Sequence, residues 1–221
     1  MNRPFLALFP ALALAFLFLL ASSAHAAPSY TMPYRIDRST RFLFFHHNYY
    51  MEMKGPDGET RYYEILKTFA DAGYTVISGI RPKDASVAEY AEKGAADVRK
   101  LLEAGVSPEN ITVAGHSKGG VITLRVSSLL QNPKVRFVVM AGCGIKGLES
   151  AYPDFRSLKG DFLSIYATSD KVASSCIQAL SGAKGGATVK ELPLEDAAGH
   201  QLFFRPVDTW VGPLSAWLKA R

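Results

Sequence analysis

The sequence predicts a three-layer α/β fold, a mostly parallel sheet with helices on both faces. Three observations carry that prediction. Short apolar runs alternate with amphipathic segments from Arg41 to Leu218, the order of repeated strand–helix units. The segment from Ser86 to Ala104 has the periodicity of an amphipathic helix. Finally, Gly115-His116-Ser117-Lys118-Gly119 lies between an apolar run, Ile111–Ala114, and a segment that continues as a helix. A turn sharp enough to lift a serine hydroxyl off the sheet edge leaves no room for side chains two positions before or after it, so glycine stands at both. The bare pattern is common by chance, and its placement between strand and helix makes it specific.

Residues 1–26 stand apart from the fold. Asn2-Arg3 is a short basic start, Phe5–Leu20 is apolar apart from Pro10, and Ala24-His25-Ala26 is an A-x-A site. This is the layout of a secretory signal peptide cut after Ala26. The apolar run is shorter than the ~20 residues of a spanning helix. No cysteine follows it for lipidation, so no membrane anchor is expected after cleavage. Residues 27–221 suit a single domain, large enough to bury about 70% of its unfolded surface.

The elements follow in order. Arg41–Phe45 is a strand, followed by a loop rich in His, Asn and Tyr. Thr60–Ala72 reads as a helix stopped at Gly73, and Tyr74–Ile80 as a strand. In the helix from Ser86, Val87, Tyr90, Ala91, Gly94, Ala95, Val98, Leu101 and Leu102 share one face. Ser86 with Glu89 makes a capping box, and Gly105 is the stop. Ile111–Ala114 is the strand before the serine, and Gly119–Leu130 the helix after it, ended by Asn132-Pro133. Val135–Ala141, Phe162–Ala167 and Ala187–Leu192 are further strands. Trp210, Leu214, Trp217 and Leu218 share a face of a C-terminal helix. The short connection between the Val135 and Phe162 strands holds little more than a turn of helix and a loop, so an open cleft is expected.

The formal charge of +5 falls to +4 once Arg3 leaves with the signal, and the excess is spread along the chain. No basic run with interleaved aromatics appears, which argues against nucleic acid. No G-x-G-x-x-G or G-x-x-x-x-G-K-[ST] loop is present, so no nucleotide cofactor is expected. His46 and His47 are adjacent and point apart in an extended chain, and no H-E-x-x-H or cysteine-rich spacing occurs, so no metal is expected either. The two cysteines, Cys143 and Cys176, lie in the exported part. An even pair in an oxidising compartment invites a disulfide, and two separate buried thiols are the alternative. Both follow consecutive strands, so a bridge would brace the loop carrying Asp170.

Ser117 needs a base, and the base needs a carboxylate to hold its tautomer. Of the histidines after the signal, His46 and His47 end the first strand, and His116 sits in the turn itself with its side chain diverging from Ser117. His200 lies in the loop before the last helix, where an imidazole returns over the strand ends. For the carboxylate, Asp170 directly follows the Phe162 strand, where catalytic groups gather in open α/β sheets. Asp154, Glu195 and Asp196 are the competitors. An acyl-transfer site also needs oxyanion donors. The Lys118 backbone N–H is one, and the backbone of His47 or Asn48 the other. The Lys118 side chain is expected to be solvated. Tyr49, Tyr50, Met51 and Met53 either line an acyl pocket or form a satellite cluster under the loop.

These residues resemble the α/β-hydrolase family over nearly the whole mature chain. The resemblance rests on Gly115-His116-Ser117-Lys118-Gly119-Gly120, Thr168-Ser169-Asp170 and Ala198-Gly199-His200. It implies the three-layer α/β-hydrolase fold, a Ser117 nucleophile, a His200 base and an Asp170 orienter, in the family's chain order. The expected activity is that of an exported serine hydrolase, periplasmic or secreted. Its partner would be a small-molecule acyl substrate, a carboxylic ester or related compound. The rivals are a binding protein that kept the scaffold, and a peptidase or amidase using the same three residues. The family often has His-Gly after its oxyanion strand where this chain has His46-His47-Asn48. Its lid is reduced here, and its early antiparallel strands are curtailed between Ser29 and Thr40.

Overall fold

A computed structural model describes residues 30–183 and 186–220, so the expected signal peptide lies outside the described residues. Six strands, β1 (Arg41–His46), β2 (Tyr74–Ile77), β3 (Ile111–His116), β4 (Arg136–Met140), β5 (Gly160–Ala167) and β6 (Ala187–Leu194), lie side by side in the order β2-β1-β3-β4-β5-β6. Every neighbouring pair is parallel. The helices are α1 (Tyr49–Lys54), α2 (Tyr62–Asp71), α3 (Val87–Glu103), α4 (Lys118–Leu130), α5 (Ile177–Leu180) and α6 (Asp208–Lys219). No strand precedes β1 among the described residues.

Handedness assigns the layers. The step from β1 to β2 runs one way across the sheet, and every later step runs the other way. Parallel crossovers are right-handed, so α2 covers one face while α3 and α4 cover the other. The packing agrees: α3 lies along α4, and Phe69 of α2 meets Trp210 of α6 at 6.4 Å between ring centroids. The core between the layers is aromatic, with Phe42, Phe137, Phe162, Phe203 and Trp210 fully buried. Phe137 and Phe162 stack across β4 and β5 at 5.0 Å.

The strand order reverses at β1 and β3, whose chains leave their C-terminal ends in opposite directions. Ligands of open α/β sheets bind in the crevice at such a switch point. Here the crevice lies between Asn48, just past β1, and Ser117, just past β3.

Strand ends differ from the sequence reading by up to three residues: β3 runs on to His116 and β5 begins at Gly160, and the two edge strands shift as well. β2 stops at Ile77 because the chain peels off the edge at Ser78, whose N–H donates to the Tyr30 carbonyl (2.7 Å) and whose hydroxyl donates to the Phe45 carbonyl (2.6 Å). β6 continues through Pro193 to Leu194. It is an edge strand, where proline removes no ladder bond. The expected loop after β1 also contains α1. Asn48 caps it, accepting from the Met51 N–H at 2.9 Å, and Gly55 stops it at φ 71°.

Candidate active site

The turn from β3 into α4 is as tight as its glycines suggest. Ser117 itself has φ 56° and ψ −121°, a region costing a non-glycine residue roughly 1–3 kcal/mol. A Cβ on Gly115 would lie 2.2 Å from the Gly119 carbonyl oxygen, and one on Gly119 would lie 2.0 Å from the His46 carbonyl oxygen. Gly119 is therefore also the point at which the end of β1 rests on the turn.

His200 lies on a 3-10 turn (Gly199–Phe204) that follows β6. Its Nε2 lies 2.8 Å from Ser117 Oγ, and its Nδ1 2.8 Å from Asp170 Oδ2. Asp170 is fixed in turn. Its Oδ1 accepts from the N–H groups of Val172 (2.7 Å) and Ala173 (3.0 Å), and its side chain is wholly buried. An ionised carboxylate only accepts, so Nδ1 carries the proton and Nε2 is left to accept from the serine hydroxyl. Of the competing carboxylates, Asp154 caps a 3-10 turn and pairs with Arg156, Asp196 accepts from the Ala198 N–H, and Glu195 is exposed.

The other histidines have separate places. His116 is buried, its Nδ1 3.1 Å from Asn48 Nδ2 and its ring 4.9 Å from that of His200. Burial and the neighbouring His200 hold it well below the usual histidine range. His46 and His47 diverge as expected. His46 turns towards Gly94 of α3, and burial lowers its pKa to about 3. His47 is locked behind the cleft: Nε2 accepts from the Arg81 N–H (2.8 Å), leaving Nδ1–H to donate to the Asn48 carbonyl (2.8 Å). Burial, then the Arg81 charge, lowers its pKa to about 3.

The His47 carbonyl accepts from the Arg81 guanidinium. The peptide bond is planar and trans, so the N–H of Asn48 points to the opposite side. Asn48 lines the cleft, as do Tyr49 and Tyr50, whereas His47 does not. Met51 is buried in the core and Met53 points to solvent, so neither lines the cleft. The separation follows from α1, which puts neighbouring residues on different faces.

The Lys118 side chain is not solvated. It is nearly buried, its Nζ 2.6 Å from Glu52 Oε2, and Glu52 also accepts from Arg81 Nε at 2.8 Å. Glu52 and Arg81 are the site residues that sequence reasoning missed. A carboxylate in an expected loop and an arginine beside a proline carry no local mark of a partnership across 29 positions.

The cleft has a volume of about 490 Å³, within the range of small-molecule sites. The β4–β5 connection beside it holds only two 3-10 turns, Glu149–Ala151 and Phe155–Ser157, so this connection forms no large lid. Cys143 and Cys176 are bridged, with their Cα atoms 5.3 Å apart. The bridge and the pairing of Cys143 with Ser174 tie the segment after Asp170 to the chain after β4.

No protein-family model and no curated protein matches the chain. Solved structures do. Arabidopsis thaliana SOBER1 is similar at 16% identity over 81% of this chain and 98% of that one, with a TM-score of 0.55. Est1E from Butyrivibrio proteoclasticus, solved with ferulic acid bound, is similar at 11% identity over 85% and 90% of the two chains, with a TM-score of 0.56. An esterase/lipase from an uncultured bacterium matches at 14% identity over 82% and 76%, with a TM-score of 0.54. These likenesses and the parallel six-stranded sheet give the chain the three-layer α/β-hydrolase fold.

Proposed function

We propose that this chain, built on the α/β-hydrolase fold, is an exported serine hydrolase of carboxylic esters or related acyl compounds. The observation that carries the reading is the continuous relay Ser117 Oγ–His200–Asp170, with both contacts at 2.8 Å, opening onto a largely apolar cleft. Ser117 Oγ attacks the carbonyl carbon while its proton passes to His200 Nε2. Asp170, accepting from Nδ1–H, stabilises the imidazolium so formed. The tetrahedral oxyanion is met by the backbone N–H of Lys118, a free donor in the first turn of α4, and by that of Asn48, turned away from Arg81. His200 then gives its proton to the departing alcohol. In the second half it takes a proton from water, whose oxygen attacks the acyl-serine, and returns that proton to Ser117 Oγ as the acid leaves.

Export is supported by the basic–apolar–A-x-A start of the sequence. The bridged cysteines suit an oxidising compartment. No described helix is long and apolar enough to cross a membrane.

The test uses purified protein, a fluorophosphonate probe and short-chain aryl esters. The wild type is expected to take one phosphonate on Ser117 and to turn over the esters. Ser117→Ala is expected to do neither, losing at least ~10⁴-fold in kcat with its melting temperature within a few degrees. A folded wild type that neither labels nor hydrolyses would leave the rival reading, a binding protein on this scaffold.

A further inference from the structure

The cleft's charges point to a substrate class, an inference that deepens the esterase reading and rests on it. The wall beside Ser117 is mainly apolar and aromatic, with Tyr50, Ile145, Leu148 and Phe204 among its residues. Apart from His200, its ionisable charged groups among the described residues are Lys118 and Lys146, and none of the described lining residues carries a carboxylate. Glu149, next in sequence, turns its carboxylate to the Gly147 N–H (2.8 Å) and lines the neighbouring hollow beside Tyr152.

Lys118 is the informative member. Its ammonium has three N–H groups. One donates to Glu52 Oε2 at 2.6 Å, and no other protein acceptor binds it among the described residues. It stands 5.2 Å from the centroid of the Tyr49 ring. Glu52 is shared with Arg81, so one carboxylate serves two cations and the cluster carries one net positive charge. Burying unmatched charge is costly. Arg81 is enclosed, while Lys118 is among the residues lining the cleft and its ammonium stands by the ring of Tyr49, another of them, so the cleft is where that charge finds its partner.

We infer that the cleft takes esters bearing a carboxylate on an otherwise apolar body, with Lys118 as the residue that meets the anion. Lys118 directly follows Ser117, so the carboxylate sits close to the scissile carbonyl, on its acyl or its alkoxy side. Lys146, exposed at the rim, adds to the field that draws the anion in.

The experiment compares matched esters on the purified protein, with rates corrected for spontaneous hydrolysis. One series sets aryl hemiesters of glutaric and adipic acid against aryl butyrate and valerate. The other sets carboxyphenyl against phenyl esters of one acid, which separates the two sides of the bond. In at least one series the anionic member is expected to exceed its neutral partner in kcat/KM by about tenfold, as for one charge-assisted contact, and the ratio should narrow as salt rises. Lys118→Met, which leaves the Glu52–Arg81 pair intact, is expected to bring the ratio near one, and Lys118→Arg to retain much of it. Should Lys118→Met fail to fold, the wild-type ratio and its salt dependence still decide. Equal or better turnover of neutral esters in both series overturns the inference, as does a preference abolished by Lys146→Gln and untouched by Lys118→Met. If no ester of either kind is hydrolysed and Ser117 takes no phosphonate, it is the esterase reading that has failed.

Discussion

A methyl group is enough to test how tightly Ser117 is held. On Gly119 it would meet the His46 carbonyl oxygen at 2.0 Å and that of His47 at 2.6 Å. Both contacts are backbone, so neither yields by a side-chain rotation. Gly119→Ala must push the end of β1 away from α4 and with it Asn48. The expected outcome is a loss of roughly 1–3 kcal/mol of stability in denaturant titration, with labelling of Ser117 by fluorophosphonate slowed at least ~100-fold. Gly79→Ala is the control, since its Cβ meets nothing within 4 Å. At this scale the sequence was most legible. A glycine two places before and after a serine reports a steric demand that acts within five residues, and the chain order of Ser117, Asp170 and His200 follows from strand ends that are visible as apolar runs. Which of the His47 and Asn48 N–H groups faces the cleft was not legible. It depends on which way one peptide is turned, and the Arg81 guanidinium, from a distant part of the chain, holds the His47 carbonyl.

Among the elements, α1 and the four-residue α5 are the helices that the sequence does not announce. The six residues of α1 show too little periodicity to announce a helix, and its stability comes from the Asn48 cap and from Glu52 beneath it. Glu52 fastens α1 to Arg81 and to Lys118 at the start of α4, so one carboxylate joins the segments that follow β1, β2 and β3. Glu52→Gln keeps the shape and leaves two buried cations without a counter-ion. Removing one partner from a buried pair typically costs about 3–5 kcal/mol. The variant is expected to melt well below the wild type in calorimetry, by more than a surface change such as Asp71→Asn, whose pair with Lys67 is exposed. Strand ends were the other differences: β3 and β5 extend over Gly115-His116 and Gly160-Asp161, which are not apolar, and the edge strands β2 and β6 end elsewhere than their apolar runs. Edge strands are bounded by what lies beside them, such as Tyr30 for β2, and not by apolar runs.

Across the whole molecule, buried neutral histidines give the fold a pH dependence. His47 has its pKa lowered to about 3, and His116 is held well below its ordinary value. An unfolded chain binds protons at these sites near pH 6.5, whereas the native chain does not. Stability is therefore complete above about pH 7 and declines as pH falls below 6.5 towards the native values. The expected slope is on the order of 1 kcal/mol per histidine per pH unit, read from urea midpoints between pH 7 and 5. An unchanged midpoint over that range would contradict the burial of these rings. The architecture itself was legible, because alternating strands and helices leave few ways to build a sheet covered on both faces. The strand order and the layer of each helix needed long-range pairing, which a linear pattern does not contain. The Cys143–Cys176 bridge has a topological consequence. It closes a covalent ring that holds the exposed turn at Gly147–Ser150, the whole of β5 and Asp170. A protease that nicks the turn would open the ring without parting the fragments, and the nicked molecule would remain one particle joined through sulfur.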